Sequence, residues 1–297
     1  MASSRAPLVT RPRRFLAVGH VTWDRVAGRD VLGGSAAYAA ACAAKLGWEP
    51  GVLTTAAADF DAGRDLPGVT CFTHPAAATT RFANVYGEDG QREQWLLARA
   101  EDILLDPLAE EWRDPDALLI CPVAGEVRGA LALAFDAATV GATAQGWLRA
   151  FDRDGRVSPR TEAEIGPQLA GVHVLFVSEN DLPDAALCAR SWLRFVPVVA
   201  LTRGWRGLTL MTREAEHEVP SLPVEEIDTT GAGDVFAAAF LLRYHETGHP
   251  LEAAAFAACA ASCVVEGVGM SALGDRDEIS RRLARRERLV EDGEWDE

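Results

Sequence analysis

From residue 15 onward the chain alternates short apolar runs with longer Ala-rich or amphipathic stretches. Residues 15–19 (FLAVG) have the length and continuous apolarity of a buried strand. Residues 35–46 (SAAYAAACAAKL) contain neither Gly nor Pro and stop at Gly47, which predicts a helix. Residues 52–55, 118–121, 172–177, 198–201 and 208–211 read as further short strands. Apolar runs without polar alternation predict strands covered on both faces. Strands alternating with helices predict an α/β fold with a doubly wound, mostly parallel sheet flanked by helices. One region departs from this rhythm. Residues 79–86 (TTRFANVY) and 94–99 (QWLLAR) flank Gly87, Glu88, Asp89 and Gly90, the composition of a β-hairpin. Together with residues 21–34, a stretch from about 70 to 100 is expected to form a small β-strand lid. Toward the C-terminus, residues 235–244 (VFAAAFLLRY) are apolar nearly all round and predict a buried helix. Residues 251–265 predict a second Ala-rich helix, and the charged residues 278–290 a surface helix.

The 297 residues are 48% hydrophobic, enough for a sizeable core. A single domain is expected over 14–297. Residues 1–13 are Arg- and Pro-rich without an apolar core, so they read as a disordered leader and not as a secretory signal. The formal net charge of −15 argues against nucleic-acid and anionic-membrane partners, which require clustered cations. No apolar run has the length of a membrane span. Six cysteines occur without a C-x-x-C pair, which suits free thiols of a reducing, cytoplasmic compartment.

The chemistry concentrates in Asp228, Thr229, Thr230, Gly231, Ala232, Gly233 and Asp234, placed directly before the buried helix. Two glycines let the backbone turn tightly and approach a ligand. The helix that follows presents unpaired N–H groups and a partial positive charge, a site for phosphate. Asp234 stands at its mouth, where the helix dipole favours the carboxylate. A carboxylate beside a bound phosphate chain can accept a hydroxyl proton. Phosphoryl transfer asks for little more than in-line positioning and charge stabilisation.

This DTTGAGD run resembles the C-terminal signature of the ribokinase-like (PfkB) carbohydrate kinases. The resemblance implies a small-molecule kinase that uses ATP and Mg²⁺, with Asp234 as catalytic base and Gly231, Ala232 and Gly233 as anion hole. It also implies a monovalent cation, K⁺ in some members, near Asp228 and Thr230. Gly33, Gly34, Ser35 and Tyr38 are similar to the family's N-terminal di-glycine signature at the substrate. Asp24, after the first strand, matches the aspartate that accepts hydrogen bonds from substrate hydroxyls. Thr202, Gly204 and Gly207 resemble the strand and loop beside the nucleotide, and Gly269 a loop near the adenine. Two positions depart from the pattern: Tyr38 replaces an asparagine, and Ser178 opens a motif that closes on an acid, Asp181. Ser178 is accordingly expected near ATP and Asp181 near Mg²⁺, through water.

The lid residues Arg81 and Asn84, with Gln145 in Ala144-Gln145-Gly146-Trp147-Leu148-Arg149, resemble a branch that includes myo-inositol kinases. That places all three toward the substrate and favours a polyol acceptor, a cyclitol or a sugar. A nucleoside kinase and a non-catalytic metabolite sensor of the same fold are the alternatives, and a homodimer through the lid is compatible with the family. His245, Glu246 and His249 match H-E-x-x-H, but Gly248 and Pro250 around the second histidine predict a helix end there, not a zinc-binding face.

Overall fold

The computed structural model describes residues 11–26, 28–86, 92–128, 130–160 and 164–291. In chain order its first half contains β1 (Arg14–Val18), β2 (Thr22–Val26), β3 (Arg29–Gly33), α1 (Ser35–Lys45), β4 (Glu49–Ala56), α2 (Ala62–Asp65), β5 (Thr70–Pro75), β6 (Thr80–Tyr86), β7 (Arg92–Ala98), β8 (Ala117–Ile120) and β9 (Thr139–Thr143). The second half contains α3 (Gln145–Leu148), β10 (Arg149–Phe151), β11 (Val157–Pro159), β12 (Val174–Ser178), α4 (Ala185–Trp192), β13 (Val198–Thr202), β14 (Leu208–Thr212), β15 (Glu216–Val219), α5 (Ala232–Thr247), α6 (Pro250–Val264) and α7 (Arg276–Glu291).

Nine strands form the central sheet in the order β15-β14-β13-β12-β9-β8-β1-β4-β5. Pairing is parallel from β13 through to β5, and β14 and β15 run antiparallel at the far edge. The apolar strand runs explain this arrangement, because both faces of the sheet are covered. One face packs Phe15, Ala17 and Phe176 against α1, α5 and α6. The other packs Leu16, Val18 and Leu118 beneath Trp112, Trp147 and Trp192. Helix α5 is buried over Val235–Leu242, and its Phe236 and Phe240 pack edge-on against Phe176. Alanines along α1, α5 and α6 let these helices approach closely.

A second sheet, ordered β3-β2-β6-β7, stands over the C-terminal ends of the central strands. The lid expected from about 70 begins later: β5 pairs with β4 as an edge of the central sheet, and the lid hairpin starts at Thr80. The turn at Gly87–Gly90 lies outside the described residues. The root of the lid is fixed by buried polar contacts. The Thr80 hydroxyl accepts the Ala100 N–H at 2.9 Å and lies 2.8 Å from His20 Nδ1, while His20 Nε2 lies 2.9 Å from the Glu101 carbonyl. Thr80 therefore donates its single proton to Nδ1, which leaves Nε2–H for Glu101. A third, two-stranded sheet, β10-β11, joins the lid through the Trp95–Arg156 bridge and the Leu96 N–H to Gly155 carbonyl bond at 2.7 Å.

Glu126 is fully buried and ties two loops at the ends of β1 and β8. Its carboxylate accepts the N–H groups of His20 (3.0 Å), Val123 (3.0 and 3.1 Å) and Ala124 (2.7 Å). Replacing it by Ala strands three buried donors, each costing about 1–3 kcal/mol. Glu126→Ala should therefore lower the urea midpoint by an amount equivalent to at least about 3 kcal/mol; a midpoint within error of wild type would contradict this role.

Helix α5 ends at Gly248, in the left-handed region at φ 70°, and His249 caps α6. His245 lies 3.0 Å from Thr139 Oγ1 and packs edge-on against Trp48, while Glu246 pairs with Arg276. The H-E-x-x-H residues are thus split between two helices. Among the described residues no helix is long and apolar enough to cross a membrane.

Candidate active site

A cleft of about 1670 Å³ runs between the C-terminal ends of the central strands, the lid and the N-termini of α1 and α5. At its floor, Gly231 caps α5 with φ 82°, a conformation that L side chains rarely adopt. A Cβ there would lie 2.2 Å from the Tyr38 ring. Gly233 differs: a Cβ would meet nothing within 4 Å. Packing does not demand glycine at this position, which opens directly into the cleft. The first turn of α5, Ala232, Gly233 and Asp234, lines the cleft with N–H groups that have no carbonyl one turn earlier in the helix.

The loop before it is braced. Asp228 accepts the Thr230 N–H at 2.9 Å on one oxygen and the Gly269 N–H at 3.1 Å on the other. Gly269 (φ 59°) thereby sits behind the loop, near the Tyr38 hydroxyl, and not on the cleft wall. Tyr38 is 2% exposed. Burial, then the charges of Asp228, Asp234 and Asp24, hold its hydroxyl well above the usual tyrosine range. In the structure Tyr38 is the prop beneath Gly231 and does not line the cleft.

Asp234 shares the cleft with Asp24, Ser35 and Asp181. Burial raises its pKa to about 6; the charges of Asp24 and Asp181 add to this, while the Ser35 hydrogen bond and Arg149 oppose it. The helix dipole alone would predict a lower value, and burial outweighs it. A carboxylate that titrates near 6 suits a general base at neutral pH.

Asp24 lies on β2 with its carboxylate folded over Gly33. Thr22 Oγ1 donates to it at 2.9 Å, and a Cβ on Gly33 would lie 2.4 Å from its Oδ2. Gly33 is thus the seat of Asp24 and is absent from the cleft wall, which Gly34 and Ser35 join at the start of α1. Gln145, the first residue of α3, also lines the cleft. Arg81 does not. It pairs with Asp30 and, at 3.1 Å, with Asp59. Phe82, the next residue of β6, lines the cleft instead. Asn84 is buried behind Gln94, whose amide donates to its oxygen at 2.9 Å.

Ser178, Thr202, Gly204 and Gly207 line the other arm of the cleft. Gly207 (φ 88°) is forced by close approach, since a Cβ would lie 2.1 Å from the Val219 carbonyl. Asp181 accepts the Ser178 N–H at 2.8 Å. Burial raises its pKa, against that hydrogen bond and the charge of Arg149. One carboxylate beside bound phosphates fits Mg²⁺, which keeps several waters of its own.

Two features of the cleft have no signal in the sequence. A slot is bounded by Pro220, Leu222 and Val224 on one side and by Ala258 and Ala261 of α6 on the other. Thr143, 7% exposed at the end of β9, lines the cleft, and its Oγ1 has no hydrogen-bond partner among the described residues. Arg149, the last residue of the Ala144–Arg149 run, also lines the cleft.

The parallel sheet, the lid and the glycine-capped helix beneath a carboxylate define a ribokinase-like small-molecule kinase. The model for pfkB family carbohydrate kinases matches residues 167–275, which include the Gly231–Gly233 loop, and with the relatives below this makes the protein a small-molecule kinase. It is similar to the cytidine kinase of Thermococcus kodakarensis, 27% identical over 80% of this chain and 90% of that enzyme. It is similar also to the ATP-dependent ribose-1-phosphate kinase of Halopiger xanaduensis, 28% identical over 84% of this chain and 90% of the relative. A pyrophosphate-dependent kinase of the ribokinase family, solved with a pyrophosphate analog and myo-inositol, superposes with a TM-score of 0.71 at 22% identity. The match covers 90% of this chain and 99% of that one. At this identity the likeness carries the fold.

Proposed function

We propose that the protein transfers the γ-phosphate of ATP to a hydroxyl of a small polyol, a cyclitol such as myo-inositol or a sugar, with Asp234 as base. The observation that carries this reading is the placement of Asp234 on the glycine-capped first turn of α5, across one cleft from Asp24. The triphosphate lies along Thr202, Gly204 and Gly207 with its end over Gly231, Ala232 and Gly233, and the apolar slot between Leu222 and Ala261 receives the base. Asp181 would hold Mg²⁺ through water, and the metal would supply positive charge to the phosphates. Oxygen donors of Asp228 and Thr230 suit a monovalent cation that would stiffen the same loop. Asp24 accepts hydrogen bonds from the acceptor and orients one hydroxyl toward Asp234. Asp234 takes that proton as the oxygen attacks phosphorus, and the first-turn N–H groups stabilise the transferring charge. Closure of the lid excludes water and limits hydrolysis of ATP. A reducing cytoplasmic setting suits the free cysteines.

A nucleoside acceptor is the second reading. It is favoured by the likeness to a cytidine kinase over most of both chains, and by a cleft that extends past Asp24 to Gln94, Val157 and Ser158. The test is acceptor-stimulated ADP release from Mg·ATP with myo-inositol, other cyclitols, ketohexoses, ribose, cytidine and adenosine. Stimulation by cyclitols or sugars supports the first reading; stimulation by nucleosides alone replaces it with the second. With the acceptor so identified, Asp24→Ala should raise its KM about 10- to 100-fold, the loss of one or two hydrogen bonds to a charged group, with the KM for ATP little changed. Equal loss on both substrates would remove Asp24 from the acceptor site.

A further inference from the structure

Arg149 opens β10 directly after α3, and its side chain lines the cleft. Its guanidinium is held from two sides. Nη1 donates to the Val123 carbonyl at 3.0 Å, and the central carbon lies 5.6 Å from the centroid of the Phe82 ring on lid strand β6. The Val123 anchor is itself fixed, because Glu126 accepts the Val123 N–H. One contact therefore belongs to the body of the protein and the other to the lid.

We propose that Arg149 is a catalytic residue whose guanidinium binds the phosphoryl group in flight, seated against it by Phe82 of the lid. This rests on the phosphotransferase reading above. The phosphoryl group must cross between the acceptor-side base, Asp234, and the donor-side carboxylate, Asp181. Arg149, Asp234 and Asp181 line one cleft, and the positive charge of Arg149 favours the ionised form of both carboxylates against their burial. The transition state spreads charge over three equatorial oxygens, and the planar fork of an arginine donates to two of them at once. Arg149 is half-buried, whereas the other cations that line the cleft, Arg156 and Arg206, are exposed. The single lysine, Lys45, lies with Trp48 and Arg276 in a different hollow. In the step itself, the acceptor oxygen forms a bond to phosphorus as its proton passes to Asp234. The bond from phosphorus to the bridging oxygen breaks, and its electron pair stays with ADP. Arg149 only donates hydrogen bonds and exchanges no proton. The stacking on Phe82 makes the cation dependent on lid position, so catalysis and water exclusion are set together.

The test compares wild type, Arg149→Met and Arg149→Lys. The readouts are kcat and the calorimetric affinity for Mg·ADP, with and without aluminium fluoride, in the presence of acceptor. Arg149→Met should lower kcat about 10²–10³-fold, the loss typical of one oxyanion donor. It should also abolish the fluoride-dependent tightening of ADP while leaving affinity for ADP alone unchanged. Arg149→Lys should recover part of both. The acid limb of the Arg149→Met pH profile should move upward, because a charge that favours ionised Asp234 is gone. Wild-type kcat and tightening in Arg149→Met, or equal loss of ADP affinity with and without fluoride, would overturn the proposal. Should Arg149→Met fail to fold, Arg149→Lys decides: reduced kcat with weakened tightening supports the proposal, and wild-type values overturn it. If wild type transfers no phosphoryl group to any acceptor, the phosphotransferase reading falls and takes this one with it; failure of the variants alone leaves that reading standing.

Discussion

Asp234→Asn should lower kcat by about 10²–10⁴-fold while the dissociation constant for Mg·ATP stays near wild type. The change keeps the size of the side chain and can still accept the Ser35 hydrogen bond, so the floor of the cleft should keep its shape. What is lost is proton affinity. The same residue sets the pH dependence. Asp234 must be ionised to act as base, and burial raises its pKa to about 6. The value of kcat/KM should therefore be full above that pH and fall about tenfold per unit below it. An unperturbed aspartate would place the limb near 4, where it would be lost in acid unfolding. Turnover of Asp234→Asn within a few-fold of wild type, or an acid limb that does not move on substitution, would remove Asp234 from this role.

The two glycines proposed to form the anion hole should fail in opposite ways. Gly231→Ala forces an L residue to φ 82° and drives a methyl group into the Tyr38 ring. The strain and overpacking together should destabilise the protein by about 2–4 kcal/mol and abolish transfer. Gly233→Ala meets no protein atom. Stability should hold or rise by up to about 1 kcal/mol, since Ala is the better helix former. Its methyl group enters the space of the transferred phosphoryl group, so kcat/KM for ATP should fall about 10²-fold, the scale set by a misplacement of about 1 Å. Thermal melting and steady-state kinetics on both variants check this. A destabilised Gly233→Ala, or one with wild-type kinetics, would contradict the assignment of that opening to phosphate.

What the sequence disclosed follows from the range of the forces involved. Strands β1, β4, β8, β12, β13 and β14 are legible because burial on both faces writes continuous apolar runs. Helices α1, α5 and α6 are legible because close packing writes alanine. Strand β9 (TVGAT) escapes, since its burial depends on neighbours that lie far away in sequence. The lid was legible as a hairpin, but the face each residue takes was not. Successive strand residues take opposite faces, and here Arg81 goes to Asp30 and Asp59 while Phe82 stays at the cleft. In the site, the loop proposed to bind phosphate is local and therefore visible: turn, glycine, helix start and carboxylate are consecutive. Tyr38 beneath Gly231, Asp24 folded over Gly33, and Arg149 against Phe82 are encounters across the fold. No spacing along the chain encodes them.

The central claim is tested most directly by incubating the purified protein with Mg·ATP and the acceptor panel and following the phosphorus by ³¹P NMR. A phosphate monoester of one acceptor class is expected, formed in step with ADP and absent in Asp234→Asn. ADP and inorganic phosphate without an ester, or nucleotide binding without turnover on any acceptor, would contradict it.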